Sequence, residues 1–157
     1  MSRKYRPITP ETPPPPKEDA GRVPPASESG DVLILRLSYP PGRRKAAFCR
    51  QYGLNSLYAG KPWQQRRREA QEIHAWVRAA LSQANIPKAP ADFPVSVEFL
   101  WDDGLDVDNH AYLGKLILDG LKGWVVEDDS KRWVRRVSHD FHEGGCILAV
   151  VRKWEEK

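Results

Sequence analysis

The chain has little cysteine: two among 157 residues, Cys49 and Cys146, far apart and in no C-x-x-C arrangement. That spacing excludes a disulfide framework or a zinc knuckle and fits a reducing compartment. No apolar run approaches the ~18 residues of a membrane-spanning helix. The first residues are basic and then proline-rich, unlike a signal peptide. A soluble, cytoplasmic protein with no membrane partner is expected. An internal repeat is also missing, which excludes solenoid and propeller architectures. Neither sign of charge dominates, with 25 Lys+Arg against 21 Asp+Glu, a net charge of +4 and a pI near 9.1. The distribution of the charges therefore says more than their sum.

Eight of the fourteen prolines fall in residues 1–30, four of them consecutive from Pro13 to Pro16. Such a stretch cannot bury enough apolar surface to offset the entropy of ordering it. Residues 1–30 read as a disordered, partly polyproline tail, and residues 31–157 as one domain of ordinary size.

Within the domain, Val32 to Leu37 reads as a strand ended by Pro40-Pro41-Gly42. Arg43 to Trp63 looks irregular, a long functional loop with a helical turn around Ala46 to Gln51. Gln64 to Ala84 is the clearest helix, with Ala70, Ile73, Val77, Ala80 and Leu81 at i, i+3, i+4 spacing and Pro87 as its stop. Phe93 to Trp101 alternates Val95, Val97, Phe99 and Trp101, as a half-buried strand does. Ala111 to Leu121 predicts a second helix stopped by Gly123; Trp133 to Ser138 and Cys146 to Val151 predict two more strands. The expected fold is α+β: a small mixed sheet of about four strands packed against two main helices.

Basic residues gather at Arg43-Arg44-Lys45, at Arg66-Arg67-Arg68, and at Lys131-Arg132 with Arg135-Arg136. Tyr52, Tyr58, Trp63 and Trp133 lie near them in sequence. Cations interleaved with aromatics suit a phosphate backbone and exposed bases. Three arginines in the first turn of a helix oppose its dipole, by up to about 1 kcal/mol per charge. A contact with phosphate would account for them, as would plain exposure to solvent.

Acidic residues concentrate between Asp106 and Ser130, in DVDNHAYLGKLILDGLKGWVVEDDS. In an extended segment Asp106 and Asp108 project to one side and Val107 to the other. Two carboxylates held that close repel unless a cation lies between them. A hard divalent ion such as Mg²⁺ takes oxygen ligands of this kind. Asp129 would close the site, with Asp128 or Glu127 beside it. Asn109 can cap a helix or hold a ligand in place. Lys115, about two helical turns beyond Asp108, can share the carboxylates' face, where an ammonium would suit a scissile phosphate. An ordinary N-cap followed by an acidic loop is the bland alternative. His139-Asp140-Phe141-His142 has no cysteine near it and reads as strand-end histidines facing solvent rather than as a zinc site.

Together, Asp106-x-Asp108-Asn109, a lysine on the following helix and a later Asp128-Asp129 resemble the RusA family of Holliday junction resolvases, many of them of phage or prophage type. Asn55-Ser56-Leu57-Tyr58, where that family often carries an asparagine, extends the likeness. In the family pattern the lysine comes sooner; here His110 to Tyr112 are three extra residues ahead of Lys115. The resemblance implies Asp106, Asp108 and Asp129 as ligands of Mg²⁺, with Mn²⁺ as a substitute, and Lys115 as the catalytic lysine. It further implies a homodimer that nicks four-way DNA junctions by hydrolysing phosphodiesters, in recombination and repair. Arg66, Arg67, Arg68, Lys131, Arg132, Asn55 and Tyr58 are then the expected DNA contacts, with Asn109 and Asp128 supporting the site. A nuclease for other branched DNA, or a DNA-binding protein that keeps the fold without cutting, stands as the alternative.

Overall fold

The protein is described by a computed structural model, in which residues 32–157 are the ones described. The proline-rich tail of the sequence reading lies outside the described residues.

Four strands form one sheet: β1 (Val32–Ser38), β2 (Val95–Trp101), β3 (Val134–Phe141) and β4 (Cys146–Lys153), in the order β1-β4-β2-β3. β4 pairs antiparallel with β1 and with β2, and β3 runs parallel to β2, so the sheet is mixed. The fold is α+β, as the element pattern predicts. The alternation in β2 does what period-two patterning requires: Val95, Val97, Phe99 and Trp101 are all buried on one face. Burying each of the larger ones contributes about 2–3 kcal/mol. β4 lies between two neighbours and is buried at Cys146, Ile147, Ala149, Val150 and Val151. β3, at an edge, exposes Arg135 and Arg136, charges that discourage pairing with another chain.

Helices cover the sheet: α1 (Arg43–Tyr52), α2 (Leu54–Tyr58), α3 (Trp63–Gln83) and α4 (Ala111–Leu121). The irregular loop expected over Arg43 to Trp63 is instead two helices. Polar residues hide the pattern of α1, which needs only Cys49 and Tyr52 buried, with Phe48 packed on the core beside them. Gly53 separates α1 from α2, and its missing side chain lets the Asn109 amide come within 3.2 Å of where a Cβ would be. α3 begins at Trp63, which moves Arg66 to the fourth helical position. The three arginines thus follow the first turn, and most of the expected dipole penalty falls away.

α3 and α4 pack against each other through Val77 and Gly120, where an added Cβ on the glycine would lie 2.9 Å from the valine's Cβ. Buried among α3, α2 and the sheet's helix-facing residues, α4 hides Tyr112, Leu113, Gly114, Leu116, Ile117, Leu118, Gly120 and Leu121. One stripe remains open to solvent: Ala111, Lys115 and Asp119 at i, i+4, i+8 spacing, continued by Lys122 just past the helix end. That stripe positions the candidate site.

Candidate functional site

An apolar helix enclosed on most sides places charges only where solvent reaches it. Lys115 uses that opening to bind Asp119 one turn on, at 2.7 Å, and Asp129 in the following loop at 3.0 Å. Lys122 binds the same two carboxylates, at 2.9 Å to Asp119 and 3.1 Å to Asp129, and reaches Asp128 at 4.0 Å. Donation from the Lys115 and Lys122 ammoniums holds the Asp129 carboxyl well below the usual range, at about 2. Burial works against the charge of both lysines, but their bonds to Asp119 and Asp129 raise each pKa regardless. Lys122 escaped the sequence reading; its signal was the i, i+7 spacing from Lys115.

Asp106 stands in extended backbone, but the chain then turns into a 3-10 helix over Val107–His110. Asp108 therefore lies in a helical turn, and the alternation of an extended strand does not relate the two carboxylates. Both are exposed, and neither has a side-chain partner among the described residues. The reason for the turn lies just before it. Asp103 accepts from the Tyr39 hydroxyl at 2.6 Å, from His110 Nε2 at 2.8 Å and from the Leu105 N–H at 2.9 Å. Burial opposes ionisation of this carboxyl, yet the bonds from His110 and Tyr39 hold its pKa below normal. The His110 ring stacks on Trp101, centroids 4.3 Å apart. A buried acid, a phenol and an imidazole thus pin the turn from beneath. The sequence pattern singles out neither Asp103 nor His110, which it shows only as one of three extra residues ahead of Lys115.

Asn109 caps a helix, though not its own. Its side-chain oxygen accepts the backbone N–H of Asn55 at 2.9 Å, near the start of α2. The Asp-x-Asp-Asn turn is thereby tied to the segment that carries Asn55 and Tyr58, both exposed. Further along, Lys61 and Glu69 form a buried ion pair at 2.6 Å, to which Tyr112 and Gln51 also donate. Tyr58 and Trp63 are 80% and 57% exposed, large for aromatic side chains. Arg66, Arg67, Arg68, Lys131 and Arg132 are exposed as well, and Arg132 lies over the Trp133 ring at 4.9 Å.

The histidine pair at the end of β3 faces inward, contrary to expectation. His139 stacks on Phe99 and accepts from Trp101 Nε1 at 3.1 Å, while His142 Nε2 donates to the Cys146 carbonyl at 2.6 Å. Both are committed to packing. His74 packs beside the apolar stripe of α3, and burial lowers its pKa. A cavity of about 540 Å³ between α1 and the 102–105 turn is lined by Lys45, Cys49, Arg50, Asp102 and Asp103 among others. Burial raises the Cys49 thiol to about 11, so it is not a thiolate.

Carboxylate oxygens are the right donors for Mg²⁺, but in this structure they are not gathered around one point. Among the described residues no three acidic, histidine or cysteine side chains come together as a ligand set. Among the described residues Asp106 and Asp108 have no side-chain partner, whereas Asp129 spends both its oxygens on ammonium groups. No described helix is long and apolar enough to cross a membrane. No family model matches the chain, and no curated protein matches it.

Proposed function

We propose that the chain is a structure-specific endodeoxyribonuclease that hydrolyses a phosphodiester in branched DNA, four-way junctions foremost, and acts as a homodimer. One observation carries the reading: Lys115 on α4 and Asp129 of the later Asp-Asp, fourteen residues apart, meet at 3.0 Å on the single open stripe of a buried helix. The described surface also carries exposed cations and aromatics, the combination that holds a phosphate backbone and unpaired bases. Lys115 supplies positive charge for a phosphate oxygen, where a preorganised cation stabilises the charge that develops on cleavage. Asp106 and Asp108 supply exposed acceptors able to orient a water. Arg66, Arg67, Arg68, Lys131 and Arg132 bind flanking phosphates. A two-fold dimer would match the symmetry of a four-way junction. The requirement for Mg²⁺ or Mn²⁺ comes to this proposal from the resemblance to RusA-type resolvases.

A second reading, a DNA-binding protein of this fold that does not cut, draws support from the same pair. A carboxylate bound by two ammoniums is a poor cation ligand until they leave it.

Incubation of a synthetic four-way junction with Mg²⁺ or Mn²⁺ separates the two. The native chain is expected to cut it and Asp108→Asn to leave it whole. An uncut junction with native protein, across metals and salts, removes the nuclease reading and leaves the binding one. Equal cutting by both proteins removes Asp108 from the site.

A further inference from the structure

Each oxygen of the Asp129 carboxylate carries its own ammonium, Lys115 at 3.0 Å on Oδ2 and Lys122 at 3.1 Å on Oδ1. Asp119 Oδ1 holds both lysines from the helix side, at 2.7 and 2.9 Å. The two lysines are fixed to α4 and its end, and Asp119 keeps them converged. Asp129 instead belongs to the loop between α4 and β3, which is free of regular structure around it. All four groups reach solvent. A phosphodiester, like a carboxylate, presents two anionic oxygens on one central atom, so it can take the same two ammoniums.

We propose that Lys115 and Lys122 form a two-pronged phosphate site for the DNA backbone, and that the Asp129 carboxylate occupies it as an internal stand-in when no DNA is bound. The inference deepens the nuclease reading and rests on it for the identity of the anion. It assigns to Lys122 a role in binding substrate and to Asp129 that of a competitor the substrate displaces. With Asp129 seated, the two lysines and two aspartates sum to zero charge; once it leaves, the prongs and Asp119 retain one positive charge, which draws a phosphate in. The same displacement frees the Asp129 oxygens, which explains how a residue of the acidic motif can be paired away in the free protein.

The test is a double-mutant cycle read as affinity of the full chain for a fluorescent four-way junction, measured by anisotropy in EDTA over a series of salt concentrations. Lys122→Met is expected to weaken binding about tenfold and to lower the slope of log K against log salt by about 0.9, the loss of one phosphate contact. Lys122→Arg should retain most of the affinity. Asp129→Asn is expected to tighten binding about fivefold in the native background, and less than twofold when residue 122 is methionine, because the two act on one site. Thermal melts of every variant keep a folding defect from passing as a binding defect. Equal tightening by Asp129→Asn in both backgrounds means simple removal of a negative charge, and overturns the inference. So does Lys122→Met with unchanged affinity and salt slope. If the native protein binds no DNA, the nuclease reading falls first and this inference with it.

Discussion

The side-chain oxygen of Asn109 accepts the backbone N–H of Asn55 at 2.9 Å, so a residue of the acidic turn caps a helix 54 positions earlier in the chain. α2 has five residues and no cap of its own, and one so short is marginal without tertiary support. Asn109→Ala removes the acceptor and is expected to cost about 1 kcal/mol, the usual value of a lost N-cap. Asn109→Asp keeps an acceptor at that place and should recover most of it. Denaturant melts of the two variants check the order. If Asn55 and Tyr58 contact DNA, the alanine variant should also bind a junction less tightly while Asp106 and Asp108 stay intact.

A second expectation concerns acid. Lys115 and Lys122 lower the Asp129 carboxyl from its usual 3.8 to about 2. A carboxyl depressed in the folded state contributes stability above its unfolded pKa and loses it as pH falls through the folded one. The window therefore lies between about pH 4 and pH 2, and stability from this pair is complete at neutrality. The pairs are partly exposed, so the effect is small, under about 1 kcal/mol. Asp129→Asn should flatten the melting temperature against pH in that window and leave the rest of the profile alone. An unchanged acid limb would show that the lysines do not hold Asp129 in solution.

Gly120 faces Val77 where α3 crosses α4. Alanine favours a helix interior by about 1 kcal/mol over glycine, but here its methyl would lie 2.9 Å from a buried valine Cβ. Overpacking of this kind costs about 1–3 kcal/mol, so Gly120→Ala should destabilise despite the propensity. Val77→Ala in the same chain removes the clash and should make the pair less destabilised than the sum of the single changes. Urea melts of the three variants give the coupling.

How much of this was legible beforehand follows from where the information sits. Strands and the two long helices announce themselves because burial imposes a period: Val95 to Trp101 alternates, and Ile73, Val77 and Leu81 recur every turn. The end points of α4, Ala111 and Leu121, are those its apolar run and Gly123 predict. α1 stayed hidden because only two of its ten residues are buried, and Arg-Arg-Lys reads as surface whatever its backbone does. At the site, residue types were readable and partners were not. Asp129 could be singled out as an acid beside apolar residues, yet nothing local says that Lys122 will share it with Lys115. Asn109 was readable as a cap, but Asn55, the residue it caps, lies far away in sequence. Asp103 and His110 were passed over because a turn and an insertion give no period, although their burial fixes the turn that carries Asp106 and Asp108.

The pair Lys61 and Glu69 offers the sharpest test of what holds the α2–α3 connection. Both side chains are almost fully enclosed, at 5% and 2% exposure, and their atoms meet at 2.6 Å. Lys61 also donates to the Gln51 carbonyl and lies over the Tyr112 ring, while Glu69 accepts from Tyr112 and Gln51. Removing water from two charges costs several kcal/mol per ion, so the pair adds little net stability over an apolar replacement of the same shape. Breaking it is another matter, because the remaining charge is buried alone. Lys61→Met should therefore cost about 3–5 kcal/mol, and Glu69→Leu a similar amount. The double variant Lys61→Met with Glu69→Leu should be clearly more stable than either single one, since it leaves no orphaned charge, only the Tyr112 hydroxyl and the Gln51 amide to find water. Chemical denaturation of the four proteins measures this directly. A double variant as unstable as the sum of the two would mean that Lys61 and Glu69 act through separate partners, and that the connection is held by Gln51 and Tyr112 rather than by the ion pair.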